Sequence, residues 1–282
     1  QYFISPSILI ENGIVPFTTY YMVQEGKGYS ADIEILESYV IENIDIELDD
    51  ELLNSNILSN TLNMRGVELL EINVYPIIYS QEQQTLTVIK AFDIIINEFE
   101  VLDDYNQNYT VPLSLEFEKL LSSMVINLDL SNRLLESQPS ILYICGGSSI
   151  SNSYLQDLIQ WRKEQGYKVY SVSTSEIGTS FNAISDYISD AYYNWEFPPE
   201  YVILVGDTSG SYQVPYSSAS GGSSDYPYSL IQGGDLLPEV IIGRISASSS
   251  SELNNIINKT IAYEKATYID FTGTDWYESS AL

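Results

Sequence analysis

The sequence predicts an α+β chain of two domains: an antiparallel β sandwich or barrel-like domain, followed by a doubly wound α/β domain with a mostly parallel sheet. Three observations predict this class. The chain has 282 residues, which is long for a single core. Its first half has a strand-like rhythm, whereas its second half alternates apolar strands with amphipathic helices. We place the domains at residues 1–137 and 138–282.

Strands dominate the first domain. Segments rich in apolar or β-branched residues predict strands at residues 18–23, 31–44, 69–77 and 86–96. The polar segment 79–85 between the last two predicts a hairpin, and residues 113–126 form an amphipathic segment that predicts a helix. Short strands without crossover helices are typical of an antiparallel sandwich or barrel.

Apolar runs and helical periodicity alternate in the second domain. Residues 141–145 form a continuous apolar run before Gly146 and Gly147, which is typical of a buried parallel strand. Strands are predicted at residues 141–145, 167–172, 201–205 and 240–245. Helices are predicted at residues 151–165, from 180 to the Pro198-Pro199 pair, and at 250–265. Gly166 stands where a glycine ends a helix.

Composition excludes several kinds of chemistry. The 282 residues contain no histidine and one cysteine, Cys145. A Ser-His-Asp triad, a Cys-His dyad and a His-ligated zinc site are therefore impossible within them. The 11 basic and 39 acidic residues give a net charge of −28, which disfavours nucleic acid and anionic membranes and favours divalent cations. No apolar run is long enough to span a membrane.

The same composition favours an extracellular location. High tyrosine and serine content, little lysine and strong acidity are expected of a secreted or cell-surface protein. The first residues lack a basic stretch, so we expect a mature or trimmed amino-terminus. The competing explanation of the acidity is a solvated surface that keeps the protein soluble.

Acidic residues follow the predicted parallel strands, where ligands bind in open α/β sheets. Asp207, Asp235 and Glu239, with nearby main-chain carbonyls, would make an oxygen cage for calcium. The alternative is that Asp207 caps a turn and Glu239 is solvated. Asp225 lies in the loop between them. Cys145 is expected to be buried and inert.

Gly146 and Gly147, followed by two serines and a helix, resemble a phosphate cradle only weakly. The segment lacks the lysine of a phosphate-binding loop, and the net charge of the chain disfavours phosphate.

Six ordered segments resemble the gingipain family of secreted cysteine peptidases. They are residues 158–169, 184–188, 198–207, 224–228, 234–244 and 263–265. Less sharply, residues 66–76, Tyr79 and 86–96 are similar to the β-rich pro-domain of that family. The resemblance implies a pro-domain followed by the first of two caspase-like subdomains.

The resemblance also implies what the chain binds and lacks. The catalytic histidine and cysteine of the family match no position here, so no catalytic residue is assigned and the 282 residues alone are expected to be inactive. The expected partners are the remaining catalytic subdomain or a companion chain, with proteins or peptides as substrates of the complete enzyme. The family's calcium site maps onto the side chains of Asp207, Asp235 and Glu239 and the main-chain oxygens of Gln232 and Leu237.

A second hypothesis remains open at this point. The chain would be a non-catalytic structural or binding protein, adhesin-like in character, that keeps a peptidase-derived scaffold.

Overall fold

The structure, a computed structural model, describes residues 16–24, 26–44, 56–100, 111–131, 138–219 and 222–266. The chain divides into two compact units, Gln1–Leu134 and Leu135–Leu282, and each is considered by itself. The predicted domain boundary falls after residue 137, and residues 132–137 lie outside the described residues. No helix of the described part is long and apolar enough to cross a membrane.

Six antiparallel strands form two sheets in the described part of the first unit. They are β1 (Phe17–Met22), β2 (Lys27–Glu42), β3 (Ile57–Met64), β4 (Val67–Val74), β5 (Ile77–Ser80) and β6 (Thr85–Glu100). One sheet has the order β1-β4-β3 and the other β2-β6-β5. Ile72 and Val74 of the first sheet share one apolar core with Ala31 and Ile94 of the second. The predicted antiparallel domain is confirmed, as a sandwich rather than a barrel.

The predicted hairpin exists, but its first strand was placed wrongly. β4 ends at Val74, and the strand that pairs with β6 across residues 81–84 is β5. Pro76 has no N–H for a strand ladder, so the chain leaves the first sheet there and joins the second at Ile77. Strand β3 was not predicted, because its residues 59–61 are all exposed and break the alternation that marks a half-buried strand.

Helix α1 (Leu115–Met124) confirms the helix predicted at residues 113–126. The Ser114 hydroxyl accepts the Phe117 N–H and caps its first turn, and Phe117 is fully buried. After the helix, the Asn127 side chain accepts the N–H of Met22 at 2.6 Å and donates to its C=O at 3.0 Å. This pair of bonds covers part of the edge of β1.

The second unit alternates strands and helices. In chain order they are β7 (Ser140–Cys145), α2 (Ser153–Glu164), β8 (Lys168–Ser173), α3 (Thr174–Ile177), α4 (Phe181–Asn194), β9 (Tyr201–Val205), β10 (Ser217–Ala219), β11 (Gly222–Ser224), β12 (Ile241–Ile245) and α5 (Ser250–Glu264). Four of the strands form a parallel sheet in the order β12-β9-β7-β8. β10 and β11 form a small separate hairpin.

Helices cover both faces of the parallel sheet, which confirms the doubly wound prediction. On one face, α2 and α5 pack through residues such as Leu155 and Leu253 against alternate residues of β7. On the other face, α4 buries Ile188 completely, and Trp195 after it packs on Tyr170 of β8 with ring centroids 4.5 Å apart. The helix-ending role of Gly166 is also confirmed, because its φ is 97° and its N–H donates to Lys163.

Candidate functional site at the carboxyl edge of the parallel sheet

The strand order defines where a ligand would normally bind. From β7 the chain passes to β8 on one side and then, through α4, to β9 on the other. The crevice beyond the carboxyl ends of β7 and β9 is therefore the topological switch point, the usual ligand site of open α/β sheets.

In this protein the chain itself occupies the switch point. A Cβ atom added to Gly146 or Gly206 would collide with the main-chain oxygen of Tyr212, and one added to Gly147 would collide with that of Ser211. The glycines that weakly resemble a phosphate cradle thus have another purpose. They let the segment 211–213 lie directly on the ends of the two strands.

Cys145 ends β7 beneath this segment. Its side chain is completely buried, and burial raises the pKa of the thiol to about 12. The thiol is consequently protonated at neutral pH and is not a competent nucleophile. The prediction of a buried, inert cysteine is confirmed.

One arginine holds the carboxyl edge together. Arg244, in β12, donates to both carboxylate oxygens of Asp225 at 2.7 Å. Its remaining N–H groups donate to the main-chain oxygens of Gly206 and Val214, both at 2.9 Å, and of Pro215 at 3.1 Å. We call this arrangement the clasp. It satisfies all five N–H donors of a guanidinium.

Sequence reasoning missed the clasp. Asp225 was considered only as one of several acidic loop residues, and Arg244 only as part of a strand. The usable signal was a lone arginine within an apolar strand, because a buried guanidinium needs a carboxylate and several carbonyls.

Asp207, two residues after the end of β9, acts as a local cap. Its carboxylate accepts the backbone N–H of Thr208 at 2.7 Å and the hydroxyl of Ser246 at 3.0 Å. These hydrogen bonds, the Thr208 N–H above all, lower the pKa of the carboxyl. The contacts match the capping alternative given above for this residue.

The other predicted calcium ligands lie in the loop between the hairpin and β12. Glu239 is completely buried, so the alternative of a solvated Glu239 is wrong. Its Oε2 accepts the N–H groups of Ile231 at 2.7 Å and Gln232 at 3.0 Å. Asp235 accepts the N–H of Leu237 at 2.8 Å. The structure therefore brings Glu239 to Gln232 and Asp235 to Leu237.

The five predicted ligands are chemically suited to calcium, because all of them offer oxygen donors. However, the described residues contain no group of three or more histidine, cysteine, aspartate or glutamate side chains that would hold a metal ion. Asp207 bonds to Thr208 and Ser246 instead of joining the carboxylates of the other loop. The calcium site stays a prediction.

Known proteins resemble this chain in sequence. Lys-gingipain of Porphyromonas gingivalis is 28% identical over 222 residues, which are 73% of this chain and 12% of that protein. Gingipain R2 of the same organism is 26% identical over 216 residues, which are 74% of this chain and 28% of the relative. This chain thus spans less than a third of the length of either relative.

Two solved structures are also similar to this chain. The crystal structure of the Arg-specific cysteine proteinase gingipain R is 27% identical and aligns with a TM-score of 0.40, covering 45% of this chain and 28% of its own. The complex of the pro- and mature domains of Porphyromonas gingivalis RgpB is 27% identical with a TM-score of 0.40, covering 43% of this chain and 28% of its own.

A protein-family model matches the second unit over its whole length. The model is that of peptidase family C25, and it matches residues 135–282, just over half of the chain. The chain therefore belongs to peptidase family C25.

Proposed function

We propose that this chain is the amino-terminal portion of a gingipain-like cysteine endopeptidase, made of a β-rich pro-domain-like unit and the first part of the catalytic domain. The observation that carries the proposal is the family match over residues 135–282. The similarity to Lys-gingipain extends over 222 residues and supports the same assignment for more of the chain.

The proposed reaction is hydrolysis of peptide bonds by a cysteine nucleophile through an acyl-enzyme. Within these 282 residues there is no histidine to act as base, and the single cysteine, Cys145, is buried with its pKa raised to about 12. The nucleophile and base are therefore proposed to come from polypeptide outside these residues. The role of this chain is to build the sheet against which that polypeptide packs.

Location and partners follow the same proposal. We propose that the complete protein is secreted or held at the cell surface and that it acts on proteins or peptides. The remaining part of the catalytic domain, in the same or a companion chain, is the proposed partner. The net charge of −28 supports the absence of a nucleic-acid partner, since it repels phosphate backbones.

Peptidase assays on the protein purified from its source test this proposal, together with the intact mass and a peptide map of any companion chain. We expect peptide hydrolysis that iodoacetamide abolishes, and we expect Cys145→Ala in the native protein to keep both the activity and its inhibition. Loss of activity in Cys145→Ala would instead make Cys145 the nucleophile. A native protein without thiol-dependent hydrolysis would contradict the proposal and favour the binding-protein hypothesis.

We also propose that calcium joins Asp207 to the loop carrying Asp235 and Glu239. The oxygen chemistry of the donors supports this proposal, and thermal unfolding tests it. Asp235→Asn should lower the melting temperature more with calcium than with a chelator, because a bound ion stabilises only the folded state. Asp157→Asn, an exposed change on α2, is the matched control and should show no calcium dependence. Equal losses with calcium and with chelator would contradict calcium binding.

A further inference from the structure

We propose that the Arg244–Asp225 clasp is a positioning device for the substrate-facing edge of the peptidase, and that it sets how tightly the complete enzyme binds an extended peptide. This inference rests on the proposed function above. It assigns a positioning role in substrate binding to Arg244 and Asp225.

The clasp joins three separate segments to one side chain. From β12, Arg244 binds Gly206 after β9, Val214 and Pro215 after the segment 211–213, and Asp225 after β11. The side chains of Arg244 and Asp225 are only 12% and 25% exposed. Charge-assisted bonds of this kind are stronger than neutral ones, particularly when they are shielded from water.

The position of the β10–β11 hairpin depends on this clasp. Within the described part of the chain, β10 and β11 pair with each other and with no other strand. The feet of the hairpin are Pro215 on one side and Asp225 on the other, and both bind the same guanidinium. Tyr228 adds a second tie, since its hydroxyl donates to Pro215 at 2.9 Å. Releasing Arg244 therefore removes the group that both feet share, while the bond from Tyr228 to Pro215 remains.

The hairpin has the features of a peptide-binding surface. The described residues of β11 are exposed and small, so an extended chain can approach its backbone closely. Two tyrosines flank it, Tyr216 at 37% and Tyr226 at 42% exposure. Exposed tyrosines are enriched where proteins bind partners, because they offer a large apolar ring. The Tyr226 hydroxyl already donates to the main-chain oxygen of Leu236, so this residue contributes its ring.

The clasp should act on substrate binding rather than on the chemical step. Its residues are fully occupied by each other and by main-chain oxygens, so they have no group left to transfer protons or attack a carbonyl. A displaced hairpin would weaken contacts that the substrate makes in both ground and transition states, which raises KM and leaves kcat nearly unchanged.

A second ion pair in the same unit provides a matched control. Arg162 bonds both carboxylate oxygens of Glu264 at 2.6 and 2.7 Å, and the two side chains are 20% and 25% exposed. This pair joins the carboxyl ends of α2 and α5. Because crossover helices run antiparallel to the strands, it lies at the opposite edge of the sheet from the clasp.

The experiment compares Arg244→Met and Asp225→Asn with Arg162→Met in the native enzyme. For the two clasp variants we expect KM to rise about tenfold and kcat to stay within about twofold, since the lost charge-assisted bonds hold the hairpin and transfer no proton. Arg244→Lys should fall between wild type and Arg244→Met, because an ammonium keeps the charge with only three donors. Arg162→Met should lower the melting temperature similarly and leave KM unchanged.

Hydrogen exchange gives a readout that does not need activity. The amides of residues 206–219 and 222–228 should exchange faster in Arg244→Met but not in Arg162→Met. Unchanged exchange in Arg244→Met would overturn the clasp itself. An equal rise of KM in Arg162→Met, or a fall in kcat at constant KM, would overturn the positioning role. A wild-type protein without peptidase activity would overturn the proposed function and the substrate half of this inference, while the exchange result would still decide whether the clasp holds the hairpin.

Discussion

At the scale of single residues, three buried side chains share one electrostatic behaviour. Cys145, Tyr143 and Tyr228 are each no more than 2% exposed. Burial, which disfavours the charged form, raises the pKa of each to about 12, from ordinary values of 9.0 for the thiol and 10.0 for the phenols. In the native protein all three therefore keep their protons into strongly alkaline solution.

The difference between the native and the ordinary pKa values predicts a loss of stability at high pH. The contribution of these groups is fully present below their unfolded pKa values and is lost as the pH rises towards about 12, since the unfolded chain then binds fewer protons. Between its unfolded pKa and about pH 12, each group makes the free energy of unfolding fall by about 1.4 kcal/mol per pH unit.

Urea unfolding at a series of pH values between 8 and 11 measures the effect, with wild type compared to Cys145→Ala. The variant should lose stability less steeply between about pH 9 and pH 11, because one of the three groups is gone. Parallel curves for the two proteins would show that the thiol does not contribute.

The burial of a single residue could be predicted where a local sequence pattern indicates it. The hydrogen-bond and ion-pair partners of a residue could not be predicted. Cys145 was predicted correctly because it ends a continuous apolar run. Glu239 was given a solvated alternative that proved wrong, because the two backbone N–H groups it accepts belong to a turn seven and eight residues away. The clasp was missed because its two side chains are nineteen residues apart and meet only through the folding of the intervening loop.

At the scale of elements, glycines decide how closely segments approach. Gly146→Ala would place a Cβ against the backbone of residues 212–213, which cannot move aside as a flexible side chain can. Gly166→Ala meets nothing within 4 Å and suffers only from its positive φ of 97°. The two substitutions therefore separate steric exclusion from backbone strain.

Chemical denaturation should rank the two variants clearly. We expect Gly166→Ala to cost about 1 kcal/mol of unfolding free energy, the ordinary penalty for a residue with a Cβ in that conformation. Gly146→Ala should cost about 3 kcal/mol or more, since overpacking against rigid backbone displaces a whole segment. A smaller cost for Gly146→Ala than for Gly166→Ala would mean that the segment 211–213 is not held on the strand ends.

Elements of the second unit were more predictable than those of the first. Buried parallel strands are uniformly apolar, and β7 and β9 accordingly stand out from the sequence alone. The sandwich strands are exposed on one face, and β3 carries three consecutive exposed residues that hide its period. The path from β4 into β5 depends on which sheet each strand joins, which no local pattern records.

At the scale of the whole molecule, charge is the dominant property. The 39 acidic and 11 basic residues give a net charge of −28. The excess carboxylates repel one another when the chain is compact. Sodium chloride screens this repulsion, so the melting temperature should rise between about 0.02 M and about 0.5 M salt. A chelator present throughout separates screening from binding of a divalent cation.

Scanning calorimetry at neutral pH and again near pH 5 tests the origin of the effect. The rise with salt should be smaller near pH 5, because the net charge falls as the pH approaches the isoelectric point of about 4.1. A melting temperature that is independent of salt at neutral pH would show that the acidic residues are too far apart to destabilise the fold.

The filled switch point has a consequence for the search for small-molecule ligands. Ligands of open α/β sheets bind in the crevice beyond the strand ends. In this protein such a ligand would have to displace backbone that lies against Gly146, Gly147 and Gly206. Compounds that bind the exposed rings of Tyr216 and Tyr226 beside the β10–β11 hairpin are better starting points, because these rings can be reached without displacing the sheet.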